Sequence, residues 1–190
     1  MSIQWGAVCR PKEGQSISGD SYIVLEQTTS VLVGVVDGLG GGEAAAEAAD
    51  GAIAVIREHP AYSLEQLIRT AHERLHHTRG AVIGLMRMQL AANKMQFVGV
   101  GNIGVHVLSS RPIKPISKNG ILGYRLPTLL LLDYVYNSGD TFVLYSDGIS
   151  SRFALDHTSD FTMAPQALAE AILANYGKHN DDATVVVIRT

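Results

Sequence analysis

Two stretches of the sequence share a form. Val35-Val36-Asp37-Gly38 closes one apolar run, and Leu144-Tyr145-Ser146-Asp147-Gly148 closes another. Each sets a carboxylate at the end of a run with strand character, followed by a glycine that lets the backbone turn or approach a ligand closely. Asp181-Asp182-Ala183-Thr184 has the reverse order, acids before an apolar run, and Asp20 opens a further one. In an antiparallel sheet the end of one strand lies beside the start of its neighbour. Asp37, Asp147 and Asp181 are therefore expected at one rim, with Asp20 joining them by the same logic.

Taken singly, each Asp-Gly reads as a turn and Asp181-Asp182 as solvated acids. Taken together at strand ends, they suggest a cation. Two unit charges about 4 Å apart repel by roughly 4 kcal/mol at an effective dielectric near 20. A cluster of carboxylates must then take up protons or bind a cation. An all-oxygen donor set in a chain with a single cysteine, Cys9, points to a hard ion, magnesium or manganese before zinc. The surplus of acids suggests two ions with one carboxylate bridging. Such a pair can hold and acidify a water for in-line attack on phosphorus, with no serine or cysteine nucleophile needed.

The elements that must position these acids follow from periodicity. Asp20 to Glu26 and Ser30 to Val36 read as strands, the second apolar enough to be buried on both faces. Glu43 to about Arg57 is an Ala-rich helix stopped by His59-Pro60. Ser63-Leu64-Glu65-Gln66 is a capping box, and Leu64, Leu67, Ile68, Ala71 and Leu75 form one stripe behind it. Residues 81–90, 94–100, 104–109, 141–145 and 184–188 read as strands, and 165–176 as a helix with Pro165 in its first turn. This order lacks the strict βα alternation of a doubly wound sheet. It predicts a single α+β domain over residues 1–190, built from two mainly antiparallel sheets face to face with helices outside.

Composition narrows the function. The 190 residues carry a net charge of -3, with no basic surface for nucleic acid, and are 46% hydrophobic. One cysteine excludes an intrachain disulfide. No apolar run approaches the roughly 20 residues of a membrane span, and the first residues lack the pattern of a secretory leader. A cytoplasmic, monomeric protein with no nucleic-acid or membrane partner is expected. His72-Glu73-Arg74-Leu75-His76 formally matches a zinc-protease motif, but no third ligand is evident downstream and the histidines read as surface residues. Gly38 to Gly42 precedes a helix but lacks the Lys-Ser/Thr of a nucleotide loop. Trp5 and the segment Leu126 to Leu130 read as core rather than partner-binding surface.

An ordered set of motifs resembles the PPM-type metal-dependent serine/threonine protein phosphatases: Gly19-Asp20-Ser21, Asp37-Gly38-Leu39-Gly40-Gly41, Arg79-Gly80-Ala81-Val82, Gly99-Val100-Gly101-Asn102, Ser146-Asp147-Gly148 and Asp181-Asp182-Ala183-Thr184. The resemblance spans about residues 3 to 189 and implies a four-layer αββα sandwich. It implies that Asp37 bridges two Mn2+ or Mg2+ ions, that Asp147 and Asp181 complete the first, and that Asp20 and the Gly38 carbonyl serve the second. The short connections look closest to bacterial stress-response phosphatases of the stressosome type, related to the sporulation phosphatases, which implies a phosphorylated STAS-domain protein as substrate.

Three departures qualify the pattern. Residues 13–19 carry no arginine where many members bind phosphate, leaving Arg10 or Lys12 as substitutes. Asn102 replaces an acid, so a third ion is expected to be weak or absent. The segment Lys118 to Tyr136 is short, leaving a shallow, open site suited to a folded protein substrate. The missing arginine also motivates an alternative, a catalytically inactive phosphoprotein-binding module of the same fold.

Overall fold

Strands rich in β-branched residues pair into two sheets whose inner faces supply the core. The computed structural model describes residues 3–155 and 160–190. One sheet has four strands in the order β1-β9-β8-β6, with β1 Gln4–Arg10, β9 Ala183–Arg189, β8 Thr141–Tyr145 and β6 Gly104–Leu108. The other has five in the order β2-β3-β4-β5-β7, with β2 Asp20–Glu26, β3 Ser30–Gly38, β4 Ala81–Gln89, β5 Lys94–Val100 and β7 Leu132–Val135. Every neighbouring pair is antiparallel.

Between the sheets lie Val33, Val35, Met86, Phe97, Phe142, Leu144, Val186 and Ile188, all inaccessible to solvent. Each such large apolar side chain contributes about 1.5–3 kcal/mol by leaving water. Strand β3 is buried on both faces because its other side meets α1 (Glu43–Glu58). Ala45, Ala48, Ala49 and Ala52 are fully buried there, and their small size lets the helix lie close to the sheet. Helix α2 (Leu64–Arg74) extends this outer layer. Its capping box forms as expected, with Ser63 Oγ accepting from Gln66 N (3.2 Å) and Gln66 Oε1 accepting from Ser63 N (2.9 Å). Helix α3 (Pro165–Tyr176) covers the four-stranded sheet through Leu168, Ala169 and Ile172. The layers are therefore α1 and α2, five strands, four strands, α3, the αββα sandwich.

Two short elements add to the sequence reading, and one expectation changes. β7 lies in the short segment Lys118 to Tyr136, and its Leu132 and Tyr134 side is only half-buried. Residues Ser151–Ala154 form one 3-10 turn. Trp5 is on the surface at 39% exposure, with its indole N–H donating to Glu26 Oε1 at 2.8 Å. Its polar edge finds a partner on the neighbouring sheet's rim, while Leu126 and Leu129 do pack against the core.

Candidate active site

The register of β2 and β3 sets Asp20 directly opposite Asp37. In the other sheet, β8 runs antiparallel to β9, with Tyr145 opposite Val185 and Ser146 N donating to Thr184 O at 3.1 Å. The end of β8 thus lies beside the start of β9, which brings Asp147 next to Asp181 and Asp182. The two sheets present these ends at the same rim. Two glycines permit the closeness. A Cβ on Gly38 would fall well under 3.0 Å from the Ala45 carbonyl, and one on Gly148 equally close to the Asp182 carbonyl oxygen.

Asp37, Asp147 and Asp181 share the wall of one pocket of about 200 Å³, with Asn102 and Gly40. Asp20 sits behind them, 6% exposed. Its Oδ2 accepts from Ser146 Oγ at 2.6 Å, and Ser146 Oγ accepts from Thr184 N at 2.9 Å. Burial pushes Asp37 up to about 8, reinforced by the charges of Asp20, Asp147, Asp181 and Asp182. Burial likewise raises Asp20 to about 6, against the hydrogen bond from Ser146. Burial and the Asp147 charge raise Asp181. Among the described residues, no three histidine, cysteine, aspartate or glutamate side chains close into a ready ligand cage. The acids instead line an open pocket as mutually repelling oxygen donors. That donor chemistry fits a hard divalent cation, whose charge would hold all of them ionised.

Several neighbours were beyond the sequence reading. Asp182 is buried, and its two carboxylate oxygens accept from Lys12 N (2.8 Å) and Gly19 N (2.9 Å), fastening the 12–19 loop that delivers Asp20. Asn102, weighed only as a poor ion ligand, donates its amide to Asp147 Oδ2 at 2.9 Å. Lys178 Nζ donates to the Asp147 carbonyl oxygen at 2.6 Å. Arg10, one substitute for the absent arginine, is committed to the Lys178 carbonyl. The single local signal was the doubled acid at 181–182, whose second member is the structural one. His72 and His76 do not converge on a point. Their rings meet edge to face at 4.8 Å, and His72 Nδ1 accepts from Gly123 N at 2.9 Å. Cys9 Sγ lies 3.4 Å from Ser18 Oγ on β1, and no metal role attaches to it.

The raised acids make a pH prediction for the metal-free protein. Between about pH 4 and 8 the folded state binds more protons at Asp37 and Asp20 than the unfolded chain does. Stability therefore falls as pH rises through that window, since slope follows the protons bound in U minus those in N. Thermal melts of chelated protein are expected to show Tm falling steadily from about pH 4 to pH 8. Magnesium or manganese affinity, measured by calorimetry, is expected to rise by about tenfold per pH unit for each proton displaced, levelling off above pH 8.

A double antiparallel sandwich with this acid-lined rim is a phosphatase domain of the PPM class. The model for Stage II sporulation protein E (SpoIIE) matches residues 27–190, and the chain belongs to that family. The phosphoserine phosphatase RsbX of Bacillus subtilis is 24% identical over 141 residues, 73% of this chain and 71% of RsbX. A chain from a structure of the bacterial stressosome, described as a modular system adapted to control secondary messenger signaling, is 33% identical at TM-score 0.92 and covers 100% of both chains. The crystal structure of RsbX with magnesium superposes at TM-score 0.88 with 21% identity, covering 98% of this chain and 94% of that one, a likeness of fold.

Proposed function

We propose that this chain hydrolyses phosphoserine or phosphothreonine on a STAS-domain protein of a stressosome-type signalling system, as a cytoplasmic monomer using two manganese or magnesium ions. The observation that carries the reading is the single pocket wall formed by Asp37, Asp147 and Asp181 with the Asp20 charge behind it. The likeness to RsbX and to the stressosome chain supports the substrate class.

Asp37 would bridge both ions, Asp147 and Asp181 would complete the first, and Asp20 with the Gly38 carbonyl would serve the second. When bound, such ions supply an acidified water and offset charge on the phosphoryl oxygens. The chain's own residues hold the donors in place. Ser146 fixes the Asp20 carboxylate, Asn102 orients Asp147, and Asp182 clamps the loop before Asp20. Asn102, neutral and already donating to Asp147, leaves a third ion weakly held or absent.

The rival is an inactive module that binds a phosphorylated partner and shields it. Purified protein with manganese is expected to turn over p-nitrophenyl phosphate and a phosphorylated STAS-domain protein, and to stop on adding chelator. No release of phosphate from either substrate across a manganese titration would defeat the proposal and leave the binding module.

A further inference from the structure

Several of the chain's cations are already committed to partners. Lys178 is bonded to Asp147 and its charge acts on Asp181. Arg10 is bonded to the Lys178 carbonyl, Arg74 to Glu58 at 2.6 Å, and Arg87 to the carbonyls of Pro60 and Tyr62. Arg79 is exposed and makes no hydrogen bond or ion pair among the described residues. Its guanidinium lies across Gly40, with Nη1 2.6 Å from where a Cβ on that glycine would stand. Gly40 adopts φ +95 and belongs to the pocket wall beside Asp37, Asp147 and Asp181. A side chain there would be strained and would drive the guanidinium away.

The backbone on either side of Arg79 is fixed. Thr78 Oγ1 donates to Leu75 O at 2.8 Å and accepts from Gly80 N at 3.0 Å, while Leu39 N donates to Gly80 O at 2.9 Å. The last bond couples the turn carrying Arg79 to the glycine loop after Asp37. An unpaired guanidinium, carried on a fixed backbone turn, is thus presented at the lip of an acid-lined pocket.

A phosphomonoester dianion entering that pocket meets carboxylates, and its outward-facing oxygens need a cation there. A planar guanidinium can donate to two phosphoryl oxygens at once, which an ammonium does not match. Building on the phosphatase reading above, we propose that Arg79 anchors the substrate's phosphoryl group through its non-bridging oxygens. Two other cations compete: Lys12, with Nζ against Gly41, and Arg125, exposed in the adjoining groove that shares Leu39, Val82 and Asn102 with the acid pocket but not on that pocket's own wall. Gly41 is not on the pocket wall, and the Lys12 backbone already serves Asp182.

The test compares Arg79→Ala, Arg79→Lys, Lys12→Ala and Arg125→Ala with wild type. Steady-state kinetics on p-nitrophenyl phosphate would be run with inorganic phosphate as competing inhibitor. Phosphate would also be titrated calorimetrically into the magnesium-loaded protein. Loss of a charge-assisted pair predicts that Arg79→Ala raises KM and both phosphate constants by about tenfold or more, with kcat and magnesium affinity little changed. Arg79→Lys is expected to recover part of the loss, while Lys12→Ala and Arg125→Ala are expected to leave the phosphate constants within about twofold of wild type. Phosphate constants for Arg79→Ala within twofold of wild type would overturn the assignment, as would a shift seen in Lys12→Ala or Arg125→Ala instead. Wild-type protein without turnover would strike the phosphatase reading alone, because the calorimetric comparison still reports on Arg79.

Discussion

Asp37→Asn is expected to lower turnover on the order of a thousandfold or more while leaving the fold intact. Asparagine keeps the volume and removes the charge that every neighbouring acid opposes. Asp37 stands across from Asp20, shares a pocket wall with Asp147 and Asp181, and is pushed up to about 8 by burial and those charges. A group so placed is costly to ionise without a cation; on the metal-site reading proposed above, its loss would remove the shared ligand and the electrostatic gain that depends on it. The same argument fixes the sign of the stability change. Chelated Asp37→Asn is expected to melt at or above the temperature of chelated wild type at pH 8, because the variant no longer carries a buried carboxylate forced to ionise. Kinetics with p-nitrophenyl phosphate and thermal melts would read both. Lost activity together with a markedly lowered Tm would instead make Asp37 a structural residue.

Gly148→Ala is expected to produce a large loss of stability. The new Cβ would fall far inside contact distance of the Asp182 carbonyl oxygen and close to Ala183 Cα, both backbone atoms that cannot rotate away. Over-packing of this kind costs about 3 kcal/mol or more, which for a chain of this size is a drop of roughly 6–12 °C in Tm. Relief of the clash requires the end of β8 to part from the start of β9, the contact that puts Asp147 beside Asp181. Turnover should fall with stability. Calorimetric melts check the first effect, and manganese titration at a temperature where the variant is folded checks the second. An unchanged Tm would mean that the two strand ends are not in contact.

The acids at 20, 37, 147 and 181 were legible because each sits where an apolar run starts or stops, a pattern carried within a few residues. Sheet pairing then brings those positions together with no further information needed. Helices α1, α2 and α3 were legible for the same local reason, down to the Ser63–Gln66 box. Other features depend on partners far along the chain. Asp182 looks like its neighbour Asp181 in sequence, and only the distant amides of Lys12 and Gly19 give its carboxylate a different task. Asn102 finds Asp147 across 45 positions. β7 is an edge strand with one half-buried side, so its alternation is faint beside the apolar Leu129–Leu132 run that precedes it. Trp5 misled because a large aromatic ring predicts burial on average, whereas its N–H is satisfied by Glu26 at the surface.

Ser146 Oγ reaches from the four-stranded sheet to Asp20 on the five-stranded one, so the carboxylates are divided between two slabs that only the filling between them keeps at a set separation. That filling behaves as a spacer. Phe97 and Phe142 deep in the slab gap govern how far apart the two halves of the donor set stand, although neither lines the pocket. Thinning the spacer shifts one half of the donor set against the other, and the pair of small ions proposed above would tolerate little misfit in ligand spacing. Tolerance to substitution is therefore narrower in this interior than packing alone would require, because its thickness is also a calibration of the chemistry at the edge.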